Sequence, residues 1–553
     1  MLRRRAAILA VAALATGALA VGHGADATPS PSCSWPMYGH DAGHSFATAP
    51  GCTTLSAKNA SSLVPQWWLP TPEPVTASPT VVDGTIYVGD WAGTFYAVPT
   101  NQPGLLPLIQ APTPRWTFQV DDTDGVAFGR ITSTAAVVTV GGRQVVLFAG
   151  GATLYALDAA NGHRLASACL DPRSDPTLRC KSSVGHIEIE SSPTVLVAGD
   201  GQSAQVLVGM DVHNDANVGR TGLISLGLTT DGLGGYALTP QWKLDPENGA
   251  TYTGPGLLTQ GSGTGQGCGG VWSSPAVDVA KGLVYFGTSS CSADGPTSGE
   301  SAWGADLATG ALRWQYRPPR QSLRWDDDFG ASPNLLPGGL VGFGSKDGWY
   351  YALRGDTTNP AGQLAWASHV GESGHVQKDF AVGGIIGTPA VGTVKGQPAI
   401  FATTALSTPI LAPLDDGFSL DTSLLTDPLR LLSLTAIRAS DGKVLWRSPL
   451  PRQSYAAPSF ANGVVLVPST FGLSLSALRA DDGLPLSHWV TFGPPSAAAV
   501  ATGNQVIMGL GTSETDLEFK ALGMGALDAL APIFGSSPIS RLSGIEAFQI
   551  LLP

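Results

Sequence analysis

Trp272, in "CGGVWSSPAVD" (268–278), places an indole between a glycine pair and the Ser-Ser-Pro that opens an apolar run. A flat π-face with glycines beside it can pack between sheets, or it can floor a pocket for a planar ligand. A second chemical candidate is "RWDDDFG" (324–330), where three consecutive acids could gather oxygen ligands for a cation or cap a loop. In an extended run side chains alternate, so at most two of the three converge, and loop capping is the simpler reading. The nine histidines form no HExxH or other ligand spacing, and no GxSxG, P-loop or dinucleotide fingerprint occurs. The six cysteines include no CxxC or CxxCH, which excludes a zinc knuckle, a thioredoxin-like site and c-type haem attachment.

The composition limits what such groups could act on. With 42 acidic and 30 basic residues the net charge is −12, so there is no electrostatic footprint for nucleic acid or an anionic membrane. Residues 1–27 read as an export signal: "MLRRR", an apolar Ala6–Val21, then Ala25-Asp26-Ala27 as a small-x-small cleavage site. That apolar stretch is shorter than the ~20 residues of a membrane span, though an uncleaved anchor is the alternative, and no second membrane segment follows. Export would permit disulfides. Taken in order the cysteines pair as 33–52, 169–180 and 268–291, one of fifteen possible connectivities.

What positions these residues is a repeated unit of short β-rich runs. It is clearest in "ASPTVVDGTIYVGDWAGTFYAV" (77–98) and recurs at 191–209, 273–290 and 331–353. Weaker copies lie at 387–404 and 456–478, and two that lack Ser-Pro at 132–157 and 495–511, which makes eight. Six units end in a further strand bearing a tryptophan: Trp116, Trp242, Trp314, Trp366, Trp446 and Trp489, with Leu165 near that place in the second unit. The last unit has no such strand, while "LVPQWWLP" (63–70) precedes the first unit. A ring resolves this. The expected fold is all-β, an eight-bladed β-propeller of four-stranded antiparallel blades over 63–517, closed by the N-terminal strand in the last blade. Residues 28–62 form an N-terminal extension and 406–432 an insertion in the sixth blade, with "SLDTSLL" and "DPLRLL" as short helices. Residues 518–553 are expected to pack on the propeller as a tail.

These repeats, with "WPMYGHDAGHSF" (35–46), "VWSSPAVDVAKGLVYFGT" and "RWDDDFGASPNLL", resemble the quinoprotein propellers that bind pyrroloquinoline quinone (PQQ), nearest the polyvinyl-alcohol-dehydrogenase-like branch. The resemblance implies PQQ stacked on Trp272 at the propeller axis, with Lys346 of "GSKDGWYYAL" at the quinone oxygens and Arg130 of "VAFGRITST" at a carboxylate. It implies calcium held near Asp215, with Asp211 as the alternative, and at Ser290, which replaces the family's asparagine. Asp294 falls near the catalytic base. Glu188 and Glu190, in "HIEIESSP", replace hydroxyl residues expected to hold a PQQ carboxylate and oppose an anionic cofactor. The implied activity is oxidation of a small alcohol or a polymer, with electrons passed to a separate acceptor. The same repeats also build non-catalytic propellers that bind protein or polymer, and this is the alternative function.

Overall fold

The computed structural model describes residues 33–551 except 101–111, 122–128, 171–179, 181–186, 213–220, 262–268, 290–298, 320–326, 358–362, 372–374, 378–379, 382–383, 405–410, 415–416, 421–433, 449–453, 471 and 513–541. Eight antiparallel sheets follow one another around an axis. Blades 1 to 7 occupy 80–119, 136–169, 194–245, 276–316, 334–369, 390–448 and 459–490. Each runs strands a to d outward from the axis, and blade 3 gains an outer strand, Ala250–Thr253. Blade strands such as Thr85–Gly89 and Leu283–Gly287 are buried along their whole length, because both faces of a blade pack on neighbours. That is why they read as continuous apolar runs rather than alternating ones.

Blade 8 closes the ring. Its strands are Val500–Thr502, Gln505–Leu510, Gly544–Ile550 and, outermost, Leu63–Pro70 from the other end of the chain. The N-terminal strand therefore completes the last sheet. Gly544–Ile550 corrects the reading of 518–553 as a tail, since it lies between Gln505–Leu510 and Leu63–Pro70 as an integral strand. In the insertion of blade 6, Leu411–Leu414 pairs with Gly417–Leu420, so the first two residues of the expected helix "SLDTSLL" are strand. The rest of that expected helix pair lies outside the described residues.

The strand-d tryptophans dock between blades. Trp116, Trp314, Trp366 and Trp446 donate their indole N–H to Ala159, Gly355, Ala439 and Ala480 carbonyls of the next blade at 2.9–3.2 Å. The rings cover turn glycines. At Gly310 and Gly442, both at positive φ, an added Cβ would lie 2.4–2.5 Å from the Trp242 and Trp366 rings. Trp67 takes the equivalent place in blade 8, opposite Ala547. Two assignments shift. In blade 7 the docking register, opposite Ala477, holds Ser487, and Trp489 lies two residues further on. In blade 2 it holds Ala166 rather than Leu165.

The recurrent Ser-Pro serves a second contact, nearer the axis. The backbone N–H of Ala498 donates to Ser78 Oγ, Ser78 to Thr134, Thr134 to Ser192, Ser192 to Ser274, Ser274 to Ser332 and Ser332 to Thr388, all at 2.8–3.1 Å. Six blade junctions are thus tied by one repeated hydroxyl. Blades 7 and 8 carry Ala457 and Ala498 at this register, so the chain of bonds stops there.

Inside the ring lies residues 35–54, an inner collar. The second residue of strand a donates its N–H to the collar in six blades: Val81 to Trp35, Val137 to Pro36, Val277 to Ala42, Leu335 to Gly43, Val391 to Ser45 and Phe460 to Phe46, at 2.7–2.9 Å. Blade 8 is met through Gly503, which donates to Cys52 and accepts from Thr54. Met37 packs in the cluster containing Val195 of blade 3. The collar's ends meet at the blade 8 turn, where Thr502 also bonds Cys33 O, and the Cys33–Cys52 disulfide joins them. Cys169–Cys180 is the other disulfide among the described residues, and Cys268 and Cys291 lie outside them.

Candidate functional site

The collar occupies the a–b turn side of the axis. At the opposite mouth lie the loops that enter each strand a and the turns joining strands b and c. Their composition decides what the mouth can hold. Ser133, Ser191 and Ser273 are equivalent, since each Oγ accepts a backbone N–H from the later part of its own strand b, from Ala149, Gly209 and Gly287 at 3.0–3.1 Å. The residue before each is therefore the mouth position of its blade: Thr132, Glu190 and Trp272. Trp272 is one member of this ring and stands apart from the docking tryptophans.

The Trp272 ring is half-buried and rests against Gly330, where an added Cβ would fall 1.9 Å from Cη2. Its indole N–H donates to Asp328 Oδ2 at 3.2 Å. Lys346, in the b–c turn of blade 5, brings Nζ to 3.4 Å from the same carboxylate oxygen and 5.4 Å from the Trp272 ring centroid. The structure therefore joins two expected site residues, Trp272 and Lys346, through one that sequence reasoning assigned to loop capping. The signal for Asp328 was the triple acid itself. What it lacked was the neighbour, which comes from another blade.

Arg130 is held at the blade 1 side: its Nη1 donates to Ala92 O at 2.9 Å and its N–H to Trp91 O at 3.1 Å. Asp211 is buried, and its Oδ1 would lie 1.8 Å from a Cβ at Gly270, with Ser289 Oγ 2.4 Å from the same point. Glycine at 270 is thus what lets a carboxylate and a hydroxyl approach the lead-in to Trp272. Glu188 pairs with Asp211 across neighbouring strands. Asp215, Ser290 and Asp294 lie outside the described residues. Among the described residues no three His, Cys, Asp or Glu side chains gather closely enough to hold a metal ion.

Comparison with known proteins places this geometry. The profile of the glucose/ethanol/alcohol dehydrogenase β-propeller domain, the PQQ family, matches residues 35–339, more than half of the chain. The chain belongs to the PQQ dehydrogenase propeller family. A second profile, that of the outer membrane protein assembly factor BamB, matches residues 358–518. Among solved structures, a europium-containing methanol dehydrogenase superposes with a TM-score of 0.63 at 15% identity, covering 93% of this chain and 98% of that one. The quinohemoprotein alcohol dehydrogenase ADHIIG of Pseudomonas putida HK5 gives 0.58 at 16% identity, with 94% and 80% covered. That of Comamonas testosteroni gives 0.57 at 16%, with the same coverage. At these identities the structural likeness concerns the fold. No curated protein matches the chain by sequence.

For a PQQ-family propeller the question is whether these residues suit the cofactor. A flat aromatic face, an ammonium able to offset charge on quinone oxygens, and a carboxylate able to accept a proton meet at one mouth, which fits a planar, anionic quinone. Glu190, at the mouth position of blade 3, is the one anionic side chain among the three equivalent positions and opposes it.

Proposed function

We propose that this propeller is an exported quinoprotein-type dehydrogenase that oxidises an alcohol, small or polymeric, at the open mouth of its axis. The observation that carries this reading is the meeting of Trp272, Lys346 and Asp328 at the end of the axis opposite the collar. Trp272 would support the planar cofactor, with Lys346 and Arg130 facing its oxygens and carboxylates. Asp211, with Asp215 and Ser290, is the proposed calcium region, supported by the approach of Asp211 and Ser289 to Gly270. When bound, PQQ supplies a two-electron acceptor for the hydride leaving an alcohol carbon.

The chain's own part is positioning and proton transfer. Asp328, a described acid in contact with both Trp272 and Lys346, accepts the hydroxyl proton at its carboxylate, while the expected base Asp294 lies outside the described residues. The Lys346 ammonium offsets the carboxylate's charge and stabilises negative charge that develops beside it. Without CxxCH the chain carries no c-type haem attachment site, so electrons go to a separate acceptor. Two disulfides among the described residues support an oxidising compartment, as does the export signal expected over residues 1–27. No described helix is long and apolar enough to cross a membrane.

The second reading is a non-catalytic propeller that binds protein or polymer, favoured by Glu190 at the mouth and by the BamB profile over 358–518. Reconstitution separates the two. Purified protein is incubated with PQQ and Ca²⁺, then assayed for bound-cofactor absorbance and alcohol-dependent dye reduction. Bound cofactor with dye reduction supports the dehydrogenase; no cofactor bound by the wild type leaves the scaffold.

A further inference from the structure

We propose that Glu300 is the positioning residue that holds Asp328 in place; this rests on the reading of Asp328 as the proton acceptor. Glu300 is fully buried and adopts φ +48°, a left-handed conformation that is costly for a residue with a Cβ and that surrounding contacts must hold. One carboxylate oxygen accepts the N–H of Asp327 at 3.1 Å, and the other lies 3.9 Å from Arg317 Nη2. The neighbouring peptide groups are also held. Ser345 Oγ donates to Asp327 O at 3.1 Å, Lys346 N–H to Asp328 O at 2.9 Å, and Phe329 N–H to Thr288 O at 3.3 Å. Of these four anchors of the backbone, the one from Glu300 is accepted by a carboxylate, and a charge-assisted bond is stronger than one between neutral groups. It joins blade 4 to the head of blade 5, the two elements whose separation sets the distance from Trp272 to Asp328.

The Trp272 indole provides a readout without cofactor. In ¹⁵N-tryptophan-labelled protein its side-chain N–H resonance, assigned with Trp272→Phe, reports the bond to Asp328, and Asp328→Ala shows where it moves when that bond is lost. We expect Glu300→Ala to shift it in the same direction, Glu300→Asp to shift it part-way, and Glu300→Gln, which keeps an acceptor, to restore it. An unmoved resonance in folded Glu300→Ala or, should that variant not fold, in Glu300→Asp overturns the proposal. If the resonance moves but wild type binds no PQQ, the positioning role stands and the dehydrogenase reading falls.

A separate observation carries a second inference. We infer that Cys33–Cys52 is a latch for the whole ring. The disulfide turns residues 33–52 into a covalently closed loop concentric with the propeller, and that loop accepts backbone N–H bonds from strand a of six blades. Reduction by a dithiol such as dithiothreitol, which gives up two electrons and two protons and becomes a cyclic disulfide, converts the latch to two thiols and lets the loop open at blade 8. A local clip would affect only the turn at Thr502–Gly503. A latch releases every blade.

Hydrogen exchange distinguishes them. In Cys33→Ser/Cys52→Ser the amides of Val81, Val137, Val277, Leu335, Val391 and Phe460 are expected to lose protection together, at least tenfold. Cys169→Ser/Cys180→Ser should leave them unchanged. Loss confined to residues near Cys33 and Gly503, or no loss at all, overturns the latch.

Discussion

Glu546 sits in the third strand of the closing blade, fully buried, where its neighbours in sequence are apolar. Its Oε2 accepts a bond from Phe492 N–H at 3.2 Å, and its Oε1 has no hydrogen-bond partner among the described residues. Burial pushes this carboxyl from 4.5 up to about 8, with the Phe492 bond acting weakly the other way. The consequence for stability has a definite sign. Below pH ~4.5 folded and unfolded chains are both protonated there, and the group has no effect on the balance. Between ~4.5 and ~8 the unfolded chain ionises while the folded one holds its proton, so stability falls as pH rises and levels off above the folded value. The slope is about 1.4 kcal/mol per pH unit, or roughly 4–5 kcal/mol across the window as an order of magnitude. Glu546→Gln keeps the shape and removes the titration. Urea midpoints measured from pH 4.5 to 9 should coincide for wild type and variant at the acid end, then diverge with the variant increasingly the more stable. Parallel curves, or a wild type that gains on the variant as pH rises, would refute the reasoning.

Trp272→Ala should weaken PQQ binding by about 10–100-fold, the effect of losing roughly 1.5–3 kcal/mol of aromatic contact, as read by cofactor titration. Ser274→Ala leaves the buried N–H of Ser192 without its acceptor and should cost about 1–3 kcal/mol in urea denaturation. His44, buried in the collar with Nδ1 3.0 Å from Pro333 O and no partner at Nε2 among the described residues, is held down to about 4 mainly by burial. Stability present above pH ~6.5 should therefore be lost as pH falls through ~4, by roughly 3 kcal/mol, and His44→Phe should flatten that acid limb.

Much of the architecture was legible because it is repeated. A strand-ending tryptophan, a glycine turn and a Ser-Pro recurred along the chain, and the stray "QWW" at 66–68 pointed to closure through the N-terminal strand. Errors arose where a single copy departed from the pattern. "GIEAFQI" does not show as part of the last blade in the sequence because residues 513–541 separate it from the strand it pairs with. Trp489 has the spacing of a docking residue, but spacing alone does not show the register, which the structure gives to Ser487.

The site divided along the same line. Trp272 was visible as an indole out of step with the docking series, and Lys346 entered through family resemblance. Asp328 was one of three acids with nothing local to choose it. The choice is made by its backbone, held between Glu300, Ser345, Lys346 and Thr288, and by an indole from the blade before. The collar was likewise a motif without a place until its carbonyls met six blades. The repeated unit, its number and its closure are legible along the chain, since they follow from periodic side-chain patterns within each blade. Which acid faces the indole, and which segment lines the inside of the ring, emerge only on folding, because both depend on contacts between elements far apart along the chain.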